Sequence, residues 1–472
     1  MREECGVVGV VKHGTESHPV PASLQIYYAL YALQHRGQES SGITVHNGKD
    51  PMTIKGMGLV PEVFDKNALL ELKGRVGIGH VRYSTCGDSM IENCQPFIVK
   101  YKSGSVAIAH NGNLVNSLEL RWKLESEGHL FVASSDTEVI AHLLVKELLK
   151  NTVIEAVSNV MKQLNGSYSL AIMIDDLLMA VRDPMGFKPL CVGSIDSGYV
   201  VASESVAIDT LNGKLIRDVK PGELVIFRDG GIESHQLFRE PNSAHCVFEY
   251  VYFARPDSII DGKLVYKVRE RIGERLAKEH PIEADMVSPV PDSGITSAIG
   301  YSRQSNIIYE ESLMKNRYIG RTFILPGQAM RETAVRLKMN TIGQNVKGRR
   351  IVLIDDSIVR GTTSRRIIDM IKNAGATEVH ARIGSPPIVA PCYLGIDMAS
   401  RDELIAAHKT IKGVEAVINA DSLGYLSIEG LVESIGINRD DLCLGCLTGA
   451  YPVDIPGEKI CQRRQLKLHE FQ

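Results

Sequence analysis

Ile351-Val-Leu-Ile-Asp355-Asp356-Ser357-Ile-Val-Arg360-Gly361-Thr362-Thr363-Ser364 reads as a strand, a loop and the start of a helix. Four β-prone apolar residues run straight into two carboxylates. A loop of small hydroxyl residues and one glycine follows. Beyond it, Ile367, Ile368, Ile371 and Ala374 fall on one face of a helix over 364–374, with Gly375 as its stop. Strand, polar loop and helix N-terminus form a phosphate-cradling order, in which backbone N–H groups and hydroxyls point at the anion. The aspartates do something else. They accept from sugar hydroxyls, or approach a Mg2+ held mainly by phosphate oxygens. A sugar carrying phosphates at both ends uses all of these groups at once.

The surrounding grammar is alternating strand and helix. Residues 285–290 read as a strand, Pro291-Asp292-Ser293-Gly294 as a loop and 295–304 as a helix. Strand 351–354, helix 364–374 and strand 378–383 follow. Such alternation predicts a parallel sheet, with ligands beyond the carboxyl ends of its strands. Residues 5 to about 237 read differently, as many short β segments between turn signals. His46-Asn47-Gly48 and Asp229-Gly230-Gly231 are hairpin turns. Two helical patterns interrupt, near 115–127 and 136–164. This half is expected to be α+β on antiparallel sheets, with 234–243 as the connector.

At 472 residues the chain exceeds one ordinary core. A formal net charge of −3 gives no electrostatic case for nucleic acid or an anionic membrane. No apolar run is long enough to cross a bilayer, and the N-terminus lacks the apolar core of a signal peptide. A cytoplasmic location is expected. Nine scattered cysteines then point to metal ligation or thiol chemistry rather than a disulfide framework.

In the first half, Cys5-Gly6 begins the first strand. Gln34-His35-Arg36-Gly37-Gln38, Gly79-His80-Val81-Arg82-Tyr83-Ser84-Thr85, His110-Asn111-Gly112-Asn113-Leu114 and Ser134-Ser135-Asp136-Thr137-Glu138 follow. Singly, each reads as an ordinary turn, core residue or ion pair. As an ordered set they resemble the glutaminase domain of the N-terminal-nucleophile amidotransferases. That resemblance implies that Cys5 becomes the first residue and attacks the glutamine side-chain amide, with its free α-amino group as base. It implies an oxyanion hole from the Asn111 side chain and the Gly112 N–H. Arg82 and Thr85 would bind the glutamine α-carboxylate and Asp136 the α-ammonium.

The 351–364 stretch closely resembles the fingerprint of type I phosphoribosyltransferases, which use 5-phosphoribosyl-1-diphosphate (PRPP). By that resemblance Asp355, Asp356, Arg360, Gly361, Thr362, Thr363 and Ser364 bind PRPP. Asp292 and Ser293 offer their loop to the diphosphate, and Ser293 joins Asp355 and Asp356 at Mg2+. Lys315, Arg317, Tyr318 and Arg321 lie in a basic, glycine-hinged segment that the family closes over PRPP.

Cys443-Leu444-Gly445-Cys446 has spacing fit for two thiolates on one metal or for a redox pair. Cys246 and Cys392 are candidate further ligands, with Cys86, Cys94, Cys191 and Cys461 as rivals. Spacing alone does not separate zinc, an iron–sulfur cluster and a dithiol.

Except for its last fifteen or so residues, the chain resembles the glutamine PRPP amidotransferase family, in its iron–sulfur branch with a propeptide. This implies a propeptide at 1–4 and an α+β N-terminal-nucleophile glutaminase domain, an αββα sandwich, at 5–237. An α/β type I phosphoribosyltransferase domain with a parallel sheet is implied at 244–456, and a tail at 457–472. It implies Mg2+ and one 4Fe–4S cluster on Cys246, Cys392, Cys443 and Cys446. Glutamine and PRPP are the implied substrates, purine nucleotides the feedback inhibitors and a homotetramer the assembly. A non-catalytic PRPP-binding regulator would have no use for the Cys5 set. A hexosamine-forming amidotransferase would lack Asp355-Asp356 and the Thr-Thr turn.

Overall fold

The computed structural model describes residues 5–13, 21–83, 89–196, 198–228, 231–316, 339–398 and 400–456. Among them, the first half holds two antiparallel sheets. The seven-stranded sheet runs in the order Lys214–Asp218, Cys191–Ile195, Gly198–Ala202, Gly6–Lys12, Val76–Arg82, Ser40–His46, Pro51–Met57. The six-stranded sheet runs Gly231–Gln236, Glu223–Arg228, Leu177–Arg182, Gly166–Ile174, Gly104–Leu114, Phe97–Tyr101. Strand alternation explains the layering. Val7, Val11, Val76, Ile78, Ala109, Ala171 and Phe227 point inward and form the core between the sheets. Val8, Val10, Ile43 and Val81 point the other way, against the helix Ala22–Ala32. Helices Asp136–Leu148 and Val153–Met161 cover the outer face of the six-stranded sheet. The expected αββα sandwich is present.

The helical pattern over 136–164 is two helices rather than one. Thr152 caps the second through the Glu155 backbone N–H, and the Glu155 carboxylate accepts from the Thr152 N–H at 3.0 Å. That reciprocal pair starts a new helix where the first has run out. The helix Ala22–Ala32 was not expected.

In the second half, Met286–Pro289, Arg350–Asp355, Glu378–Ile383 and Ser422–Tyr425 form a parallel sheet in that order. It is buried on both faces, as its apolar runs require. Val287, Val352 and Ile354 pack with Val268, Ile272 and Leu276 on one side. Met286, Ile351 and Leu353 pack with Ile367, Ile368 and Ile371 on the other. Helices Ile295–Ser305 and Thr362–Asn373 follow the first two strands, so the loops at 290–294 and 356–361 open at the same edge.

The two halves meet through buried ion pairs. Arg36 bonds Glu204 and Glu249, and Arg182 reaches Asp261 at 2.7 Å. Among the described residues, no helix is long and apolar enough to cross a membrane.

Candidate functional site

Cys5 precedes the strand Gly6–Lys12, and Gly6 pairs with Val81 of the antiparallel neighbour. This register brings Cys5 to the end of the strand that carries Arg82. The Cys5 thiol donates to the Tyr83 carbonyl at 3.4 Å, and Arg36 Nε donates to the Cys5 carbonyl at 3.0 Å. Arg82 is buried, with Nη1 2.6 Å from Glu39 Oε1.

Asn111 and Gly112 lie near the end of Gly104–Leu114, in the opposite sheet. His80 ties the two sheets there, its Nε2 2.9 Å from the His110 carbonyl. Burial pushes His80 down to about 3, so Nε2–H of the neutral ring is the donor. Both polar atoms of the Asn111 side chain are buried without a hydrogen-bond partner. An orphaned buried amide is costly unless a ligand satisfies it. Gly112 has φ +147°, and a Cβ there would stand 2.1 Å from the Ser167 carbonyl oxygen. Only glycine fits.

Asp136 opens the helix Asp136–Leu148 and accepts from the Leu114 N–H at 2.9 Å, beside His110 at 3.6 Å. Burial alone would raise its carboxyl. His110 and the Leu114 and Thr137 N–H groups outweigh that and hold it below the usual range. Cys5, Arg82, Asn111, Gly112 and Asp136 thus gather at one end of the sandwich: a thiol, an unsatisfied amide, a guanidinium and an anion. Thr85 and the segment 1–4 lie outside the described residues.

The second constellation surrounds a cavity of about 360 Å3. Ser293, Asp355, Asp356 and the run Arg360 to Ser364 line it, together with Tyr252 and Asp397. Asp356 N–H donates to Asp355 Oδ1 at 2.9 Å. Burial first, and then the neighbouring Asp356, push the Asp355 carboxyl well above the usual range. Gly361, at φ +74°, turns the chain into the helix Thr362–Asn373. An adjoining cavity of about 1000 Å3 shares Tyr252, Pro291 and Ser293 and reaches His35 and Gln38 of the first half. Asp292 and Lys315 line it as an ion pair at 2.5 Å. Arg317, Tyr318 and Arg321 lie outside the described residues.

Cys246, Cys392, Cys443 and Cys446 line one small cavity of about 20 Å3, with Lys188 and Leu394. Cys246 and Cys443 are register partners in the short parallel pairing of His245–Cys246 with Leu442–Cys443. The Leu394 N–H donates to Cys392 Sγ at 3.4 Å. Burial pushes the Cys443 thiol up to about 12. Among the described residues, no three His, Cys, Asp or Glu side chains stand close enough to hold one metal ion. The thiols surround a space rather than a point. Of the rivals, Cys94 bonds Met57 Sδ at 3.5 Å and Cys191 the Ala202 carbonyl at 3.3 Å, both in the first half. Cys86 and Cys461 lie outside the described residues.

Tyr252, Asp397, Arg36, Glu204 and Glu249 were given no role on sequence. Only Arg36 stood within a quoted motif.

The chain is similar to known proteins along nearly its whole length. Residues 80–210 match the family model of a glutamine amidotransferase domain. An amidophosphoribosyltransferase of Methanocaldococcus jannaschii is 54% identical over 97% of this chain and 100% of its own. One of Methanothermobacter thermautotrophicus is 56% identical over 97% of this chain and 96% of its own. The solved glutamine PRPP amidotransferase from B. subtilis, complexed with ADP and GMP, superposes with a TM-score of 0.89. It is 45% identical, covering 96% of this chain and 98% of that one.

Proposed function

The chain belongs to the amidophosphoribosyltransferase family, and on that premise we propose how its own residues divide the work. The reaction converts glutamine, PRPP and water into 5-phosphoribosylamine, glutamate and diphosphate, the first committed step of purine nucleotide synthesis. The glutaminase domain is 5–237 and the phosphoribosyltransferase domain 244–456, with 1–4 as propeptide and 457–472 as tail.

Cys5 is the nucleophile. Its thiolate attacks the side-chain amide carbon, the Cys5 α-amino group takes the thiol proton and returns it to the leaving ammonia, and water then cleaves the glutamyl thioester to release glutamate and free the thiol. An amide nitrogen is not a base, so Glu4 must first be removed. The unsatisfied Asn111 amide and the Gly112 N–H receive the tetrahedral oxygen as it becomes charged. Arg82 binds the α-carboxylate, which competes with Glu39 for the guanidinium. Asp136, held anionic by His110 and backbone N–H groups, receives the α-ammonium.

Ammonia then reaches the ribose C1 of PRPP in the 360 Å3 cavity. The Thr362 N-terminus and the hydroxyls of Thr362, Thr363 and Ser364 suit the 5-phosphate. The acidic pair beside Ser293 suits the ribose and a hard cation. When bound at Ser293, Asp355 and Asp356, Mg2+ would neutralise charge on the leaving diphosphate. Asp292 and Lys315 stand where the diphosphate meets the adjoining cavity.

The four cysteines, Cys446 buried and the others half-buried, fit a 4Fe–4S cluster: four thiols face one space, and a backbone N–H already donates to one sulfur. When bound, the cluster would join the two ends of the second domain and serve structure rather than chemistry. Purine nucleotides are the proposed feedback inhibitors and a homotetramer the proposed assembly, the latter readable by sedimentation.

The buried, unpartnered Asn111 amide carries this reading. In the test, glutamate and phosphoribosylamine are measured together, alongside intact mass. Active protein should begin at Cys5. Cys5→Ala should lose glutamine-dependent synthesis and keep synthesis from added ammonia. Full glutamine-dependent activity in protein that begins at Met1 or Arg2 would falsify the assignment.

A further inference from the structure

An oxyanion hole works only if its N–H is already aimed when charge develops, so the Gly112 peptide must be held still. Its own domain supplies part of that restraint. Gly112 pairs with Tyr168 and Asn113 with Ser167 in the antiparallel ladder, and His80 fixes the His110 carbonyl.

The remainder comes from the other domain. Gly395, at φ +101°, lies flat against the Gly112 backbone. A Cβ at Gly395 would stand 3.0 Å from the Gly112 carbonyl carbon, 3.1 Å from its Cα and 3.2 Å from Lys188 Cε. The two residues before Gly395 are bonded to the same strand pair. Asn113 Nδ2 donates to the Tyr393 carbonyl at 2.8 Å, and Ser167 Oγ donates to the Leu394 carbonyl at 2.8 Å. Ser167 Oγ also accepts from the Asn113 N–H at 3.1 Å. Leu394 is buried with Phe187 and Ala244, which anchors the segment.

We propose that Tyr393-Leu394-Gly395 is a positioning segment for amide hydrolysis, a backstop from the phosphoribosyltransferase domain that sets the Gly112 N–H against the tetrahedral oxygen. This rests on the oxyanion role assigned above to Asn111 and Gly112. Tyr393, Leu394 and Gly395 line neither of the two cavities around the acidic pair. Arg82 and Asp136 bind the glutamine α-groups elsewhere, so a slack backstop should affect turnover and spare substrate binding.

The test uses the full-length enzyme. Gly395→Ala should lower the glutaminase kcat roughly 3- to 10-fold and leave the glutamine KM within about twofold, as expected when the Gly112 peptide must give by a few tenths of an ångström. Ammonia-dependent phosphoribosylamine synthesis and Cys5 alkylation by iodoacetamide should stay at wild-type rates. Gly128→Ala is the control. Gly128 also has a positive φ, +93°, but nothing lies within 4 Å of its Cβ position. That variant should keep its kcat.

Asn113→Ala and Ser167→Ala each cut one bond between the domains and leave Gly395 alone. They should lower kcat several-fold at constant KM, and they decide the matter if Gly395→Ala does not fold. Wild-type kcat in both, or kcat and KM failing together with ammonia-dependent synthesis, would overturn the proposal. Asn111→Ala separates the two readings. If it is inactive while the backstop variants are normal, only the backstop falls. If it too is fully active, the oxyanion assignment falls first.

Discussion

Arg36 grips both carboxylate oxygens of Glu249, Nη1 at 2.9 Å and Nη2 at 2.7 Å, with both side chains essentially out of water. The same guanidinium holds Glu204 at 2.7 Å and the Cys5 carbonyl at 3.0 Å. One cation therefore joins the nucleophile's backbone to the π-helical turn Glu249–Phe253, which carries Tyr252 into both cavities.

Removing that cation strands two buried carboxylates. Arg36→Met should cost about 3–5 kcal/mol in denaturant unfolding. Glu249→Gln should cost less, since Arg36 keeps Glu204. Equal losses would mean that Glu249 is the partner that matters.

Asn111 should trade stability against activity. Asn111→Leu replaces an unsatisfied buried amide by an apolar group of similar size and should gain about 1–3 kcal/mol. Glutamine turnover should fall roughly 100- to 1000-fold. Thermal melts and glutamate release measure the two effects on one sample.

The acidic pair should be separable from the glutaminase. Asp355→Asn with Asp356→Asn should abolish phosphoribosylamine formation and leave some glutamine hydrolysis. Full synthase activity at limiting PRPP would contradict the assignment.

His80 should make the fold acid-sensitive. Its folded pKa, about 3, lies below the unfolded value of about 6.5, so the unfolded chain takes up the proton first. Its contribution is whole above about pH 6.5 and is lost as pH falls towards 3, reaching a loss of about 2 kcal/mol at pH 5. His80→Gln should flatten that slope in unfolding curves compared between pH 7 and pH 5.

Iron content should follow four cysteines and no others among those described. Changing Cys246, Cys392, Cys443 or Cys446 to Ser should give colourless protein. Cys94→Ser and Cys191→Ser should stay brown, and equal iron in all six would refute the ligand set.

Local chemistry was readable from the sequence where the signal is itself local. Asp355-Asp356 and the Thr-Thr turn announce themselves because a continuous apolar run gives way, across a few polar residues, to a period of about 3.6. The break at Thr152 was also readable, since Thr152 and Glu155 have capping-box spacing, although the apolar periodicity on both sides hid it. Tyr252 was not readable: Val247-Phe248-Glu249-Tyr250-Val251-Tyr252-Phe253 is aromatic and β-branched, strand-like in composition, yet it is helical. Tertiary packing overrides propensity there. Arg36 with Glu249, and Gly112 with Gly395, are meetings of distant segments in which only the first partner lies in a motif and nothing local marks the second.

The cavity of the four cysteines also sets a schedule. About 200 residues separate Cys246 from Cys446, so the wall that Cys443 and Cys446 supply is made well after the one that Cys246 supplies. At ribosomal speeds of about 5–20 residues per second, Cys246 is synthesised roughly 10–40 s before Cys446 exists. The first domain can collapse in that time, but the parallel pairing of Cys246 with Cys443 cannot. Nascent chains therefore carry an open cysteine cavity until synthesis passes residue 446, and a premature stop anywhere before residue 443 leaves that cavity without one wall.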